Sequence, residues 1–252
     1  QSNGGLEYVN MRLMRLSDAW KCVGATHEYW SCPEGQTIGD IAKDRIYIDD
    51  KNDGGCKSDK YTRDLRLLLD ELKDQPKNER THFYLAQTYR CLNQYEKSNE
   101  YYKKRIALGG WFEEVWYSHY MIVENYLALN KPEKAELWAQ RGYKFSPYRA
   151  EALYKIVKHL RLQPHDQWKA MHYYKLAKQI QKPKIALFLE SNVYEYELDY
   201  EHTILQYYVN PKRRDGNVES IKYMTKPKLS HFDNVFDNME FYTEPIPSHY
   251  EH

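Results

Sequence analysis

His27 and Glu28 are neighbours of the types that metal and proton-transfer chemistry uses. An imidazole can ligate a cation, and a carboxylate can deprotonate a hydroxyl. Flanked by Trp20, Tyr29 and Trp30, the pair also fits a hydrogen-bond anchor in an aromatic cluster, and both readings stand. Further along, Asp53-Gly54-Gly55-Cys56 leads into Lys57, Lys60 and Arg63. Glycines permit close backbone approach and the cations would neutralise a phosphate, so these residues could contact a phosphorylated donor. They lack Walker spacing, and a turn entering a helix explains the same residues. The four cysteines, Cys22, Cys32, Cys56 and Cys91, form no Cys-x-x-Cys pair, so neither a zinc site nor a disulfide framework is signalled. Cys22 and Cys32 read as buried thiols.

The elements that must position such residues are mostly helices. Pro76, Gly110, Pro147 and Pro183 punctuate the chain at intervals of roughly 34 to 37 residues, the tetratricopeptide period. Each interval holds two amphipathic segments: Thr81–Leu92 with Tyr95–Leu108, Trp116–Leu129 with Pro132–Phe145, and Ala150–Leu162 with His165–Gln181. Such a hairpin cannot bury its apolar stripe alone, so neighbours stack and small residues mark the close approaches. Ser98, Ala135 and Ala170 occupy equivalent positions, with Tyr102, Ala139 and Tyr174 four residues on. Before the array, Lys60–Lys73 carries Leu65, Leu68, Leu69 and Leu72 at helical spacing.

First helices of these hairpins face a concave groove. The groove residues are therefore expected to be Arg80, Phe83, Gln87 and Arg90, then Tyr117, Tyr120 and Glu124, then Lys155 and His159. Aromatics mixed with cations suit a peptide or a sugar chain, and a docked domain or second subunit is the alternative. Phe83, Tyr117 and Tyr120 are expected to be at least partly exposed there. A ligand, the residues 6–50 segment or another copy of the chain would then cover them.

Composition bounds the class. In 252 residues, 37 Lys and Arg against 36 Asp and Glu leave a net charge of +1, so no global field favours nucleic acid or an anionic membrane. Neither a membrane span nor a signal-peptide layout is present, and a cytoplasmic location is expected. Twenty-five Tyr beside 11 Gly suit interlocking helices better than a turn-rich barrel. Residues 1–5 read as a cloning remnant.

The ends of the chain add a second signal. Tyr8–Leu16 alternates as a strand would, and Ile46-Tyr47-Ile48 is a second short apolar run. Trp20-x-x-x-Gly24-x-x-His27-Glu28 is followed by Ile46-Tyr47-Ile48-Asp49-Asp50, Asp53-Gly54-Gly55 and Lys57-Ser58-Asp59-Lys60-x-x-Arg63-Asp64. Downstream come Phe83-Tyr84-Leu85-Ala86, Gly109-Gly110-Trp111-x-Glu113-Glu114 and Leu187-Phe188-x-Glu190-x-x-Val193-Tyr194. In this order, over about residues 8–209, they resemble the C-terminal part of family 2 glycosyltransferases that carry tetratricopeptide repeats.

The resemblance implies a mainly α chain, with a tetratricopeptide-like array after a small α/β remnant of a GT-A domain. Residues 6–59 would end the catalytic domain, 60–183 form the repeats, and 184–252 make a helical cap and tail. It implies a nucleotide-sugar donor, a glycan or protein acceptor, and a divalent metal (Mn or Mg) in the full-length enzyme. The metal-binding Asp-x-Asp would lie in a missing N-terminal half, leaving this fragment without a cofactor and inactive alone. Within that family His27 and Glu28 would be the catalytic remnant and Lys57, Lys60 and Arg63 the donor contacts. A homodimer is a further possibility. The alternative is a stand-alone tetratricopeptide adaptor that binds a peptide or partner protein.

Overall fold

The computed structural model describes residues 13, 20–26, 28–31, 39, 41, 45, 59–184, 186, 188–209, 214–225 and 231–242. The expected strands Tyr8–Leu16 and Ile46–Ile48 lie outside these residues but for Leu13. The chain divides into two compact units, Gln1–Gln94 and Tyr95–His252.

In the first unit a short ribbon pairs β1 (Lys21–Val23) antiparallel with β2 (Tyr29–Ser31), in register Cys22 to Trp30. Gly24 takes φ 107° just after β1, a conformation that favours glycine. Both strands lie where aromatic spacing, without alternation, gave no strand signal. Cys22 is exposed, not buried as expected, because a two-stranded ribbon has no second layer to cover it. Two helices follow, α1 (Lys60–Asp74) and α2 (Glu79–Cys91). Leu68 of α1 is buried, and α2 buries Phe83, Leu85, Ala86 and Tyr89. Asn78 caps α2 by accepting a bond from the Thr81 N–H at 3.1 Å, satisfying an orphan donor of the first turn. Glu71 clasps the unit: one carboxylate oxygen accepts from Thr81 Oγ1 at 2.7 Å and the other from the Ala25 N–H at 3.2 Å.

The second unit is a run of helical hairpins: α3 (Tyr95–Leu108), α4 (Phe112–Ala128), α5 (Pro132–Phe145), α6 (Glu151–Arg161) and α7 (Gln167–Lys178). A single turn of π-helix, Val193–Glu197, runs into α8 (Leu198–Val209), followed by α9 (Arg214–Met224) and α10 (Phe232–Asn238). Successive helices pack from α3 to α10, and α6 also packs on α4 and α8. The expected close approaches are there. Ser98, Ala135, Ala139 and Ala170 are fully buried. A methyl group on Gly142 would stand 3.4 Å from the His119 Cβ, so this glycine lets α5 approach α4.

The first-helix turns repeat in detail. Asn93 (φ 58°) and Asn130 (φ 53°) follow α2 and α4 in the left-handed conformation that ends a helix. At each, the following N–H bonds back across the turn, Gln94 to the Tyr89 carbonyl and Lys131 to the Tyr126 carbonyl, both at 2.9 Å.

The turn between α3 and α4 is built differently. Gly109 (φ 71°) and Gly110 (φ 85°) reverse the chain, and Arg105, fully buried, closes the turn from inside. Its guanidinium donates to Glu114 Oε2 through Nε and Nη2, both at 3.1 Å, to the Trp111 carbonyl at 3.3 Å and to the Gly109 carbonyl. Between the same helices, Asn125 Nδ2 donates to Ser98 Oγ and Asn99 Oδ1, each at 2.9 Å. These polar ties are buried, so they fix the register of α3 on α4.

Candidate binding face

Along α4, Tyr117, Tyr120 and Glu124 fall at spacings of three and four, so they share one stripe. Beside them α6 presents Glu151, Tyr154 and Lys155. The stripe is occupied by the chain itself. After α7 the backbone crosses it, and the Phe188 ring lies 4.6 Å from the Tyr117 ring. Two residues on, Glu190 accepts a hydrogen bond from the Tyr120 hydroxyl and lies 3.4 Å from Lys155 Nζ. Lys155 is shared with Glu124, also at 3.4 Å, and its ammonium lies 5.7 Å from the ring centres of both Tyr120 and Tyr154.

The π-helical turn extends the contact along α6. Tyr194 donates to Glu151 Oε2 at 2.8 Å and accepts from the Ala150 N–H at 2.9 Å. Tyr154 donates to Glu197 Oε2 at 2.9 Å, and His231 Nε2 approaches the same oxygen at 3.2 Å. Beneath them Arg149, buried, donates to Glu151 and Glu113 and covers the Trp116 ring at 3.6 Å. Burial, followed by the negative charge of neighbouring glutamates, pushes the phenols of Tyr120, Tyr154 and Tyr194 above the ordinary tyrosine range. Each hydroxyl therefore keeps its proton and serves its carboxylate as a donor.

The remaining sequence-derived residues are distributed as follows. His27 and Lys57 lie outside the described residues, and Glu28 is exposed at the start of β2. Lys60 opens α1 over its neighbour Tyr61, and Arg63 is exposed and pairs with Asp64 at 3.1 Å. In the first unit Arg80 lies 4.9 Å from the rings of both Tyr29 and Tyr84. Gln87 and Arg90 are half-buried. The exposure expected of Phe83 and Tyr120 is wrong: each is 1% exposed. For Tyr120 the reason is that α3, α5 and α6 all pack on α4, so the helix is core on most sides. Tyr117, Glu124 and Lys155 stay half-buried at the edge of that core. Of the residues at this face, sequence reasoning missed Arg149, Tyr154 and Glu197, and it gave Phe188, Glu190 and Tyr194 no role in the groove. Most of their partners lie 35 or more residues away, beyond any helical period.

No protein-family model matches the chain, and no curated protein does. Solved structures do. One is YrrB, described as a TPR protein with an unusual peptide-binding site, at 12% identity and TM-score 0.49, over 73% of this chain and 82% of that one. MamA is similar at 18% identity and TM-score 0.47, over 77% and 97% of the two chains. A second MamA structure gives 17% identity and TM-score 0.45, over 75% and 89%.

The glycosyltransferase resemblance is corrected: of the three solved structures just described, one is described as a TPR protein and none as a glycosyltransferase. The motifs that suggested it have packing roles. Phe83, Leu85 and Ala86 are core of α2, Gly109 to Glu114 form the turn closed by Arg105, and Phe188 and Glu190 pack on α4 and α6. Among the described residues no group of three or more His, Cys, Asp or Glu could hold a metal ion. Asp49, Asp50 and Asp53 lie outside them. No described helix is long and apolar enough to cross a membrane.

Proposed function

We propose that the chain is a tetratricopeptide-type adaptor that holds a peptide, or a peptide-like segment of a partner protein, on the α4–α6 face. The observation that supports this reading is the way the face already holds residues 188–190. An aromatic platform, Tyr117, takes a ring, and two donors of different kinds, the Tyr120 hydroxyl and the Lys155 ammonium, converge on one carboxylate. Aromatic stacking supplies contact area at low entropic cost, and convergent donors supply direction. No nucleophile or paired acid and base is needed for that task.

The test is a peptide array probed with the full chain and with Lys155→Glu. The Glu variant puts a third carboxylate beside Glu124 and Glu190. Bound peptides should include aromatic and acidic residues, and the variant should lose most of the signal. An array that binds nothing, or binds both proteins alike, refutes the proposal.

A further inference from the structure

The segment on the α4–α6 face is part of no regular element where it touches Tyr117. Between the end of α7 at Lys178 and Ser191 lie about a dozen residues, a connection longer than most between packed helices, and the described ones among them are in neither helix nor strand. It does not take the short path. It crosses the first-helix face, and Lys182 ties its start to Glu195 at 2.6 Å. At the crossing Phe188 adopts φ 50°, the left-handed region that a side chain with a Cβ avoids. Asn93 and Asn130 take the same conformation, but as helix-ending asparagines, which tolerate it. In that backbone shape the Phe188 ring reaches Tyr117, and the carboxylate two residues on reaches Tyr120 and Lys155.

The contacts also differ from core packing. Phe188 remains 43% exposed. Glu190 and Lys155 keep 32% and 23% of their side chains open to solvent. By contrast the tie beneath, Arg149 to Glu151, is 3% and 0% exposed. A strained, half-solvated segment thus lies over helices that a fully buried ion pair holds from beneath. Such a segment belongs to the low-stability end of a structure, where local opening occurs without unfolding the rest.

We infer that residues 188–190 are an intramolecular pseudo-ligand, and that the α4–α6 face exchanges them for an external peptide carrying an aromatic residue two positions before a carboxylate. This rests on the proposed peptide-binding function and adds its regulation and the partner's chemistry. The aromatic-x-acid pattern follows from the face: with Phe188 and Glu190 lifted away, Tyr117 presents a platform, and Tyr120 and Lys155 present two donors at the spacing that one carboxylate satisfied. The tether makes the internal ligand a strong competitor. A short loop holds its segment at an effective concentration on the order of millimolar. If the free segment binds with a Kd of roughly 0.1 mM, the tether weakens an external peptide about tenfold.

The experiment uses a fluorescein-labelled peptide spanning residues 184–197 of this chain, titrated by anisotropy into the full-length protein. Three proteins are compared: the unsubstituted chain, the double variant Phe188→Ser with Glu190→Gln, and the same double variant carrying Lys155→Glu. The double variant should bind about tenfold more tightly than the unsubstituted chain, and Lys155→Glu should remove that gain. A peptide with Ser for its Phe and Gln for its Glu should bind neither. Hydrogen exchange on the unsubstituted chain gives a readout that depends on no variant: saturating peptide should speed exchange of residues 186–192 and leave α4 and α6 protected.

Equal affinities for the unsubstituted chain and the double variant, both lost with Lys155→Glu, would overturn the pseudo-ligand while leaving the peptide-binding function standing. Unchanged exchange in residues 186–192 at saturation would do the same. Failure of any protein to bind this peptide, together with an empty array, would overturn both.

Discussion

Removing the carboxylate of Glu114 tests whether the Gly109–Gly110 turn is a structural clasp. Arg105 is fully buried, and four hydrogen bonds hold its guanidinium: two to Glu114 and one each to the Gly109 and Trp111 carbonyls. With Glu114→Ala the two carbonyls remain, but the charge loses its counter-ion where water cannot reach it. Breaking a buried pair in this way costs about 3 to 5 kcal/mol, because the remaining charge is uncompensated. In a domain of this size 1 kcal/mol moves the thermal midpoint by about 2 to 4 °C, so the shift should be on the order of 10 °C. Replacing both partners, Arg105→Met with Glu114→Leu, should cost far less, since no charge is left behind. Urea unfolding followed by far-ultraviolet circular dichroism compares the two variants with the unsubstituted chain. A cost below about 1 kcal/mol for Glu114→Ala would show that the turn is set by its glycines alone and that the ion pair is incidental.

Two further outcomes are expected. Ala135 is fully buried in α5, so Ala135→Leu should overpack the hairpin and cost about 1 to 3 kcal/mol in the same urea assay. His119 lies between the Trp138 and Phe145 rings, and burial, with Arg141 nearby, pushes its imidazole down to about 4. The unfolded chain would take up that proton near the ordinary value of 6.5. His119 therefore contributes stability that is intact above about pH 6.5 and is lost progressively as pH falls toward 4. His119→Phe keeps an aromatic ring in place and should flatten the fall in thermal midpoint across that window; identical profiles for the two proteins would show that His119 does not carry the dependence.

The helices were legible because each depends on local information. Pro76, Gly110 and Pro147 mark helix ends through backbone conformations that a helix interior does not take, and Ser98, Ala135 and Ala170 mark contacts that larger side chains would block. Predicted and observed helices therefore differ by only a few residues at most ends: Pro132–Phe145 is unchanged, while Trp116–Leu129 becomes Phe112–Ala128. The face was not legible in the same way. The stripe Tyr117, Tyr120, Glu124 follows from periodicity, but the periodicity of α4 could not show that α6 and the 188–190 segment close over it. The same blindness misled the family resemblance. Short motifs such as Gly109-Gly110-Trp111 and Leu187-Phe188-x-Glu190 look like signatures of chemistry until their partners are known, and the partners are Arg105 and Glu114 in one case and Tyr117, Tyr120 and Lys155 in the other.

The distribution of polar contacts in the second unit separates what should stay fixed from what can exchange. Arg105–Glu114 and Arg149–Glu151 are withdrawn from water, so opening either exposes a charge to a low-dielectric gap before solvent can follow. Lys155–Glu190 lies at the edge of the core within reach of solvent, which can compensate both charges as they part, and pairs screened by solvent contribute about 0 to 1 kcal/mol. The Tyr117–Phe188 contact adds about 0.5 to 1.5 kcal/mol beyond its buried area, set against a left-handed Phe188 that costs about 1 to 2 kcal/mol. With the Tyr120–Glu190 hydrogen bond, which as a bond to a charged group contributes about 1.5 to 3 kcal/mol, the net hold on the segment is near zero to a few kcal/mol, while the helices beneath it are locked by several. A face built this way can release its internal segment without loosening the hairpins that shape it, which is the physical condition for exchanging one peptide for another.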